Sequence, residues 1–293
     1  MVCLLVCTVR QALYLSLSSV SAPRPVSPAL TVPAPPSRDS SPRPVAWDER
    51  RVSHLKKQCS DTPVYTREIA VIKVGGSLLF DEKGELRIGY VRSLIPVLRE
   101  LSQSRKLVVV VGGGRVARKY IGYGRELGLN EGALDKIGVL ISRVNAALLF
   151  SATYGTYSAV PATLDELRLL IASELPILFM GGLQPGQSTT TTAALIAEAF
   201  SGRLFIATDT EGVYDKDPKV FHDAKLLKKV SVSELLAKFG GSQQAGGYRL
   251  LDLLTLNIIQ RSKLPVRIFK GEPSENIRRA VEGEDIGTLI IPE

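Results

Sequence analysis

Residues 180–192 read Met-Gly-Gly-Leu-Gln-Pro-Gly-Gln-Ser-Thr-Thr-Thr-Thr, three glycines and a proline followed by five consecutive hydroxyl side chains. Glycine lets the backbone turn sharply and approach a ligand. A helix that starts after such a turn presents unpaired N–H groups and a partial positive charge, which suits a phosphate. Hydroxyls add further donors. One hydroxyl would be explained as a helix cap; this run asks for more and points to the cradling of a phosphoryl group. Two other glycine runs point the same way. Lys73 is the one charge in an apolar strand pattern that runs, after Val74, into Gly75, Gly76 and Ser77. Such a lysine either snorkels to an edge or faces an anion, and the glycines favour the anion. Gly112, Gly113 and Gly114 stand between five aliphatic residues and a helical pattern, a second phosphate-binding layout. Arg118, one turn further on, can fold back towards a phosphate; the alternative is a solvated surface arginine. In the run 209–219, Glu211 and Gly212 make a tight turn, Tyr214 can lay its ring against a base, and Asp217 is placed by the rigid Pro218. Asp135 sits next to Lys136 and reads as half of a surface ion pair.

Other chemistries lack their residues. There is no Gly-x4-Gly-Lys-Ser/Thr, and the triple glycine lacks the Gly-x-Gly-x-x-Gly spacing of a dinucleotide fold. Cys3, Cys7 and Cys59 all fall in the first 66 residues, so the rest holds no thiol nucleophile, disulfide or thiolate metal site. Beyond residue 66 the one histidine is His222, which makes a Ser-His-Asp hydrolase improbable. Phosphoryl transfer needs neither group, because positioning and charge neutralisation do most of its work.

The elements that must hold these residues follow from periodicity. Strands are expected at 68–74, 107–111, 157–161, 176–180, 203–208, 266–269 and 289–291. Helices are expected at 88–101, 115–127, 130–154 with a break near Gly138, 164–172, 193–200, 231–239 and 248–261. Ser231 and Glu234 suit a capping box, and 240–247 reads as a flexible Gly/Gln loop. Strand and helix alternate, and residues 107–111 are aliphatic throughout, as in a strand buried on both faces. The expectation is an α/β fold, a three-layer α/β/α sandwich with a mainly parallel central sheet.

The 293 residues are 45% hydrophobic and 23% charged, an ordinary globular balance. No apolar run reaches the roughly 18 to 20 residues of a membrane span. Half of the net charge of +8 lies in residues 1–66, and the excess in the remainder is too dilute for a nucleic-acid binder. Residues 1–66 hold nine of the 17 prolines and ten serines and read as a disordered extension. A secretory signal fits them poorly, since the early segment lacks a positive charge and Arg10 interrupts the apolar run; a basic, Ser-rich transit peptide is an alternative. The favoured reading is that the native protein starts near Tyr65 and the extension is not part of it. Residues 67–293 form the folded domain.

Five motifs occur in order: Lys-Val-Gly-Gly-Ser (73–77), Val-Val-Gly-Gly-Gly-Arg-x-Ala-Arg-Lys-Tyr-Ile (110–121), Asp-x-Ile-Gly (135–138) with Ser-Arg-x-Asn-Ala (142–146), Gly-Gly-x-x-Pro-Gly-Gln-Ser-Thr (181–189), and Ala-Thr-Asp-x-x-Gly-Val-Tyr-x-x-Asp-Pro-Lys (207–219). Together they resemble the amino acid kinase superfamily and, within it, the archaeal-type uridylate kinases. The resemblance spans about residues 67–293 and implies the amino acid kinase fold, with an acceptor lobe at 67–180 and an ATP lobe at 181–293. It implies transfer of the γ-phosphoryl group of ATP to UMP, with Mg²⁺ held mainly by phosphates and water. Lys73 and Arg118 would be catalytic. Gly76, Ser77, Gly114, Arg118, Thr208, Tyr214 and Asp217 would contact ATP. Gly113, Asp135, Leu183, Gln184, Pro185, Gly186, Gln187, Ser188 and Thr189 would contact UMP, and no side chain would be a metal ligand. A homo-oligomer, a hexamer, in the cytoplasm is implied as well, with no nucleic-acid or membrane partner. One departure is Thr190, where many relatives carry an acid; Thr190, Thr191 and Thr192 then read as first-turn helix residues. Among rivals, isopentenyl phosphate kinases use a histidine beside the glycine loop, and none occurs between His54 and His222. A non-catalytic relative that stores oxyanion clusters would want more histidines than two.

Overall fold

A computed structural model of the chain describes residues 68–157, 160–218, 220–239 and 251–293. The expected extension at 1–66 and the Gly/Gln loop at 240–247 lie outside the described residues. The chain divides into Met1–Ser60 and Asp61–Glu293, and all described residues belong to the second unit.

Seven strands among the described residues make one sheet: β1 (Ile69–Val74), β2 (Lys106–Val111), β3 (Ile177–Met180), β4 (Arg203–Thr208), β5 (Lys229–Ser231), β6 (Val266–Lys270) and β7 (Thr288–Ile291). Their order is β3-β2-β1-β4-β6-β7-β5, parallel throughout except for the β6–β7 pair. The helices are α1 (Gly76–Leu79), α2 (Ile88–Leu101), α3 (Gly114–Glu126), α4 (Glu131–Tyr154), α5 (Leu164–Ile171), α6 (Thr189–Ala199), α7 (Val232–Phe239), α8 (Leu253–Arg261) and α9 (Glu275–Glu282). Strand residues alternate between two cores. Ala70, Ile72, Val109 and Phe205 face α2, α4 and α9. Ile69, Val71, Val108 and Leu204 face α5, α6, α7 and α8. With both faces covered, the inner strands must be apolar throughout, and Leu107 to Val111 have no exposed surface. The three-layer expectation holds.

Three expectations need correction. Of the strand expected at 157–161, the described residues Tyr157, Val160 and Pro161 lie outside any strand, and 158–159 are outside the described residues. The edge of β3 is occupied by a side chain instead, since Tyr154 Oη donates to Ile177 O at 2.8 Å and accepts from Ile177 N at 3.0 Å. There is no break at Gly138, and α4 runs unbroken for 24 residues. One glycine costs a helix about 1 kcal/mol, and here α4 is braced by α3, with Ile121 Cδ1 3.3 Å from where a Gly138 Cβ would stand. Finally, α8 starts at Leu253, where the Asp252 side chain accepts from Thr255 N and caps the helix, so Leu251 and Asp252 fall outside it; the expected first turn at 248–250 lies outside the described residues. The capping box at α7 is present, with Ser231 N bonded to Glu234 Oε2 at 2.8 Å and Glu234 N to Ser231 Oγ at 3.1 Å.

Candidate active site

The five mutually parallel strands β1, β2, β3, β4 and β6 end at one edge of the sheet. The three glycine runs and the charged turn after β4 therefore gather there. The chain steps from β1 to β2 to β3 in one direction, then returns to the other flank of β1 as β4. Connections leaving in opposite directions open a crevice at that reversal, where open α/β sheets hold their ligands.

Lys73 stands at the crevice. It is in register with Ile206 of β4, and the next turn is fastened to β4 by Gly75 N donating to Ala207 O at 3.0 Å. Since β1 is an interior strand, Lys73 has no lateral sheet edge to snorkel to. Its part-buried ammonium is pushed down from 10.5 to about 8 by desolvation, against the pull of the Asp209 carboxylate. A Cβ on Gly75 would lie 3.5 Å from Ser77 Oγ and 3.6 Å from Lys73 Nζ, so the hydroxyl and the ammonium flank one bend. Thr208 is buried at the end of β4, and its hydroxyl donates to Asp209 Oδ1 at 3.1 Å.

The first two glycine runs touch backbone to backbone. A Cβ on Gly76 would fall 2.2 Å from Gly114 N, and one on Gly112 would fall 2.7 Å from Gly76 N. Gly114 has φ +65°, a conformation open to glycine. The four-residue α1 and the 13-residue α3 thus start side by side after Lys73's strand and its neighbour.

Helix α4 passes beneath the second and third runs. Asn145 Nδ2 donates to Gly112 O at 2.9 Å. Ser142 Oγ accepts from Gly182 N at 2.8 Å. Arg143 donates from Nε to Gly182 O at 3.0 Å and from an Nη to Leu183 O at 2.8 Å. Asp135 is not paired with Lys136; its Oδ2 accepts from Gly186 N at 2.8 Å, where the loop turns at φ +78°. Gln187 N closes that turn on Gln184 O at 3.3 Å. Leu183 is part-buried against the core, while Gln184 and Pro185 are exposed. Gln187 Oε1 is a buried side-chain oxygen without a partner, which marks this loop as one awaiting a donor.

The hydroxyl run divides into two jobs. Ser188 caps α6 through Thr191 N, and Thr189 opens the helix. Thr190, Thr191 and Thr192 are buried in its first turn, as expected. Asp252, which the sequence reading did not single out, ties the run together. Its carboxylate accepts from Ser188 Oγ at 2.5 Å, from Thr191 Oγ1 at 2.9 Å and from Thr255 N at 2.7 Å, so one acid serves the N-termini of α6 and α8. Asp252→Ala is expected to destabilise the fold by about 2 kcal/mol, from a lost cap and stranded hydroxyls. Denaturant unfolding checks this, and Asp252→Asn should recover part of the loss.

The remaining predicted residues line the periphery. Tyr214 is half-buried and bridged to Leu226, and the Asp217 carbonyl accepts from Val220 N and Phe221 N at 3.1 and 2.8 Å. Arg118 is exposed on α3 in a groove of about 690 Å³, which it shares with Arg115, Lys119, Tyr120 and the turn at 82–84. Among the described residues no group of three or more His, Cys, Asp or Glu could hold a metal ion. Asp209 also escaped the sequence reading; its place directly after Thr208 on β4 was the available signal.

Comparison with known proteins agrees with this geometry. The amino acid kinase family profile matches residues 68–270. A uridylate kinase of Thermofilum pendens is 55% identical over 225 residues, covering 76% of this chain and 97% of that protein. A uridylate kinase of Sulfolobus acidocaldarius is 41% identical over 227 residues, covering 76% and 98%. Among solved structures, the uridylate kinase of Archaeoglobus fulgidus superposes with a TM-score of 0.67 at 36% identity, covering 76% of this chain and 99% of that one.

Proposed function

The chain belongs to the amino acid kinase family, among its uridylate kinases, and from that premise we propose that it transfers the γ-phosphoryl group of ATP to UMP, giving ADP and UDP for pyrimidine nucleotide synthesis. The observation that carries the mechanism is the contact of the first two glycine turns beside Lys73 at the reversal of the sheet. On this reading the two helix N-termini and the ammonium act on one phosphoryl group.

The attacking group is a phosphate oxygen of UMP, already anionic, so no general base is required. Lys73 and the N–H groups around Gly76 and Gly114 neutralise charge as it moves from the β,γ-bridge to the acceptor. Arg118, one turn along α3, meets the phosphates from the groove side. On this reading Gly113 and the loop from Leu183 to Thr189 hold UMP, with Asp135 acting through Gly186. Thr208, Tyr214 and Asp217 hold the nucleoside of ATP, with Ser77 at its phosphates. This assignment keeps residues 67–180 as the acceptor lobe apart from the loop that follows β3. The site has a lysine and one nearby carboxylate, Asp209, a donor set that suits Mg²⁺ arriving with the triphosphate and held by phosphate oxygens and water. When bound, the ion supplies further charge neutralisation.

We also propose a cytoplasmic homo-oligomer. The outer face of α4 supports the self-association: Leu140, Val144 and Leu148 are 47%, 62% and 42% exposed and lie four residues apart. The stripe is symmetric about Val144. A two-fold axis there would lay Leu140 of one copy on Leu148 of another, the self-complementarity that an isologous contact demands. A hexamer needs a second kind of contact beyond this pair. Val144→Glu is expected to lower the oligomeric state, as read by light scattering coupled to size exclusion; an unchanged mass would contradict the pairing.

The activity itself is tested by ATP consumption with UMP, CMP, isopentenyl phosphate and acetylglutamate side by side. UMP is expected to be turned over at least about tenfold faster than the others. No turnover with UMP would overturn the reading.

A further inference from the structure

Arg143 has no part in the chemistry described so far, yet it is the side chain most engaged with the third glycine loop. Its guanidinium donates to three carbonyls: Gly182 O at 3.0 Å, Leu183 O at 2.8 Å and Ala162 O at 3.1 Å. Among the described residues it has no carboxylate partner, so backbone oxygens alone meet its charge. The loop lies directly on its backbone, since a Cβ on Gly181 would fall 2.5 Å from Arg143 N and 2.7 Å from Arg143 Cγ. The next groups are tied as well, with Gly182 N on Ser142 Oγ at 2.8 Å and Leu183 N on Thr192 Oγ1 at 3.4 Å.

We propose that Arg143 is the positioning residue of the acceptor loop: it draws the carbonyls of Gly182 and Leu183 out of the crevice and so presents residues 184–189 to the acceptor phosphate. The inference rests on the reading of that loop as the UMP site. A carbonyl oxygen turned into the crevice would repel a phosphate dianion, and two consecutive carbonyls would do so twice. Arg143 removes both and places an uncompensated positive charge beneath the loop. The planar fork of a guanidinium can serve three acceptors in fixed directions, which a lysine ammonium on a flexible stem cannot. Arg143 bonds to the loop after β3 and to the segment before α5, and among the described residues it makes no side-chain hydrogen bond to the turns after β1 and β4, so its influence falls on one substrate.

The test is steady-state kinetics on the full chain with Arg143→Met, Arg143→Lys and Arg143→Ala, run beside the unaltered protein. For Arg143→Met, KM for UMP is expected to rise roughly 10- to 100-fold, with KM for ATP within about twofold; that range is the scale of lost charge-assisted hydrogen bonds. Arg143→Lys, able to reach one carbonyl, should fall between, and it carries the test if the methionine variant does not fold. Millimolar guanidinium should lower KM for UMP in Arg143→Ala without changing KM for ATP. A merely structural arginine would raise both KM values together or reduce kcat in step with the folded fraction. That result, or an unchanged KM for UMP, overturns the proposal. If the unaltered protein does not phosphorylate UMP, the acceptor assignment fails first, and the two failures are distinguishable.

Discussion

Lys73→Met is expected to yield a folded protein with kcat reduced at least about 100-fold, the scale of removing one electrostatic contact to a transferring group, and with greater stability at pH 7 than the unaltered chain. The two effects share one cause. The ammonium is carried on an interior strand near Asp209, and desolvation lowers it to about 8. Methionine fills similar volume with no charge to desolvate, so the gain should be about 1–3 kcal/mol at neutral pH. The linkage has a definite sign. Between about 8 and 10.5 the unfolded chain keeps a proton that folded Lys73 has shed. Stability of the unaltered protein therefore rises with pH across that window, and the methionine variant should lack the rise. Activity runs the other way. As pH climbs through about 8 the free enzyme loses the charge that meets the phosphates, so kcat/KM for ATP should fall on an alkaline limb that Lys73→Arg moves out of range. Thermal unfolding and kinetics across pH 6–10 read all of this; an undiminished kcat in Lys73→Met would remove Lys73 from the mechanism.

Gly76→Ala should damage activity severely through a single methyl group. The new Cβ would stand 2.2 Å from Gly114 N and 2.3 Å from Gly114 Cα, both backbone atoms at the start of α3. Nothing flexible can yield. Gly114 is itself confined, with its own Cβ position 2.8 Å from Gly76 O and 3.0 Å from Phe80 Cδ2. The turns must separate, which moves apart the two helix starts proposed to face the phosphates. Misplacement by about 1 Å can cost 100-fold in rate, and overpacking of this kind destabilises by up to about 3 kcal/mol. The matched control is Gly122→Ala in the middle of α3, where no atom lies within 4 Å of the new methyl. There the helix should gain about 0.5–1 kcal/mol with kcat unchanged. Equal activity in the two variants would contradict the picture of two turns in contact.

The site was legible where one residue type answers one local demand. Lys73 in an apolar strand and the glycines at 75–76, 112–114 and 181–182 announced themselves because close backbone approach leaves few alternatives to glycine. The structure supplies the opposing atoms: Gly114 for Gly76, and Arg143 and Ser142 for Gly181. The strands at 69–74, 106–111 and 203–208 were readable from aliphatic runs alone, and the capping box at Ser231 from spacing. What stayed hidden depends on contacts far apart in sequence. Asp252 looks like any helix cap until α6 is laid beside α8, 61 residues away from its Thr191 partner. Asp135 was assigned to its neighbour Lys136, whereas its partner is Gly186, 51 residues on. The strand expected at 157–161 had suitable residues, but Tyr154 had already covered the β3 edge. Strand β5 and helix α9 went unread. The first has three residues; the second is only eight residues long, although its buried Ile277, Ala280 and Val281 keep helical spacing.

The central claim is phosphoryl transfer from ATP to UMP at the crevice between β1 and β4. Phosphorus NMR of the full chain with ATP, Mg²⁺ and UMP tests it most directly. The account predicts that the UMP and ATP resonances decline together while those of UDP and ADP grow in equal amounts, and that Lys73→Met slows this at least about 100-fold. Loss of ATP to inorganic phosphate with UMP unchanged, or conversion of UMP that Lys73→Met leaves undiminished, would contradict it.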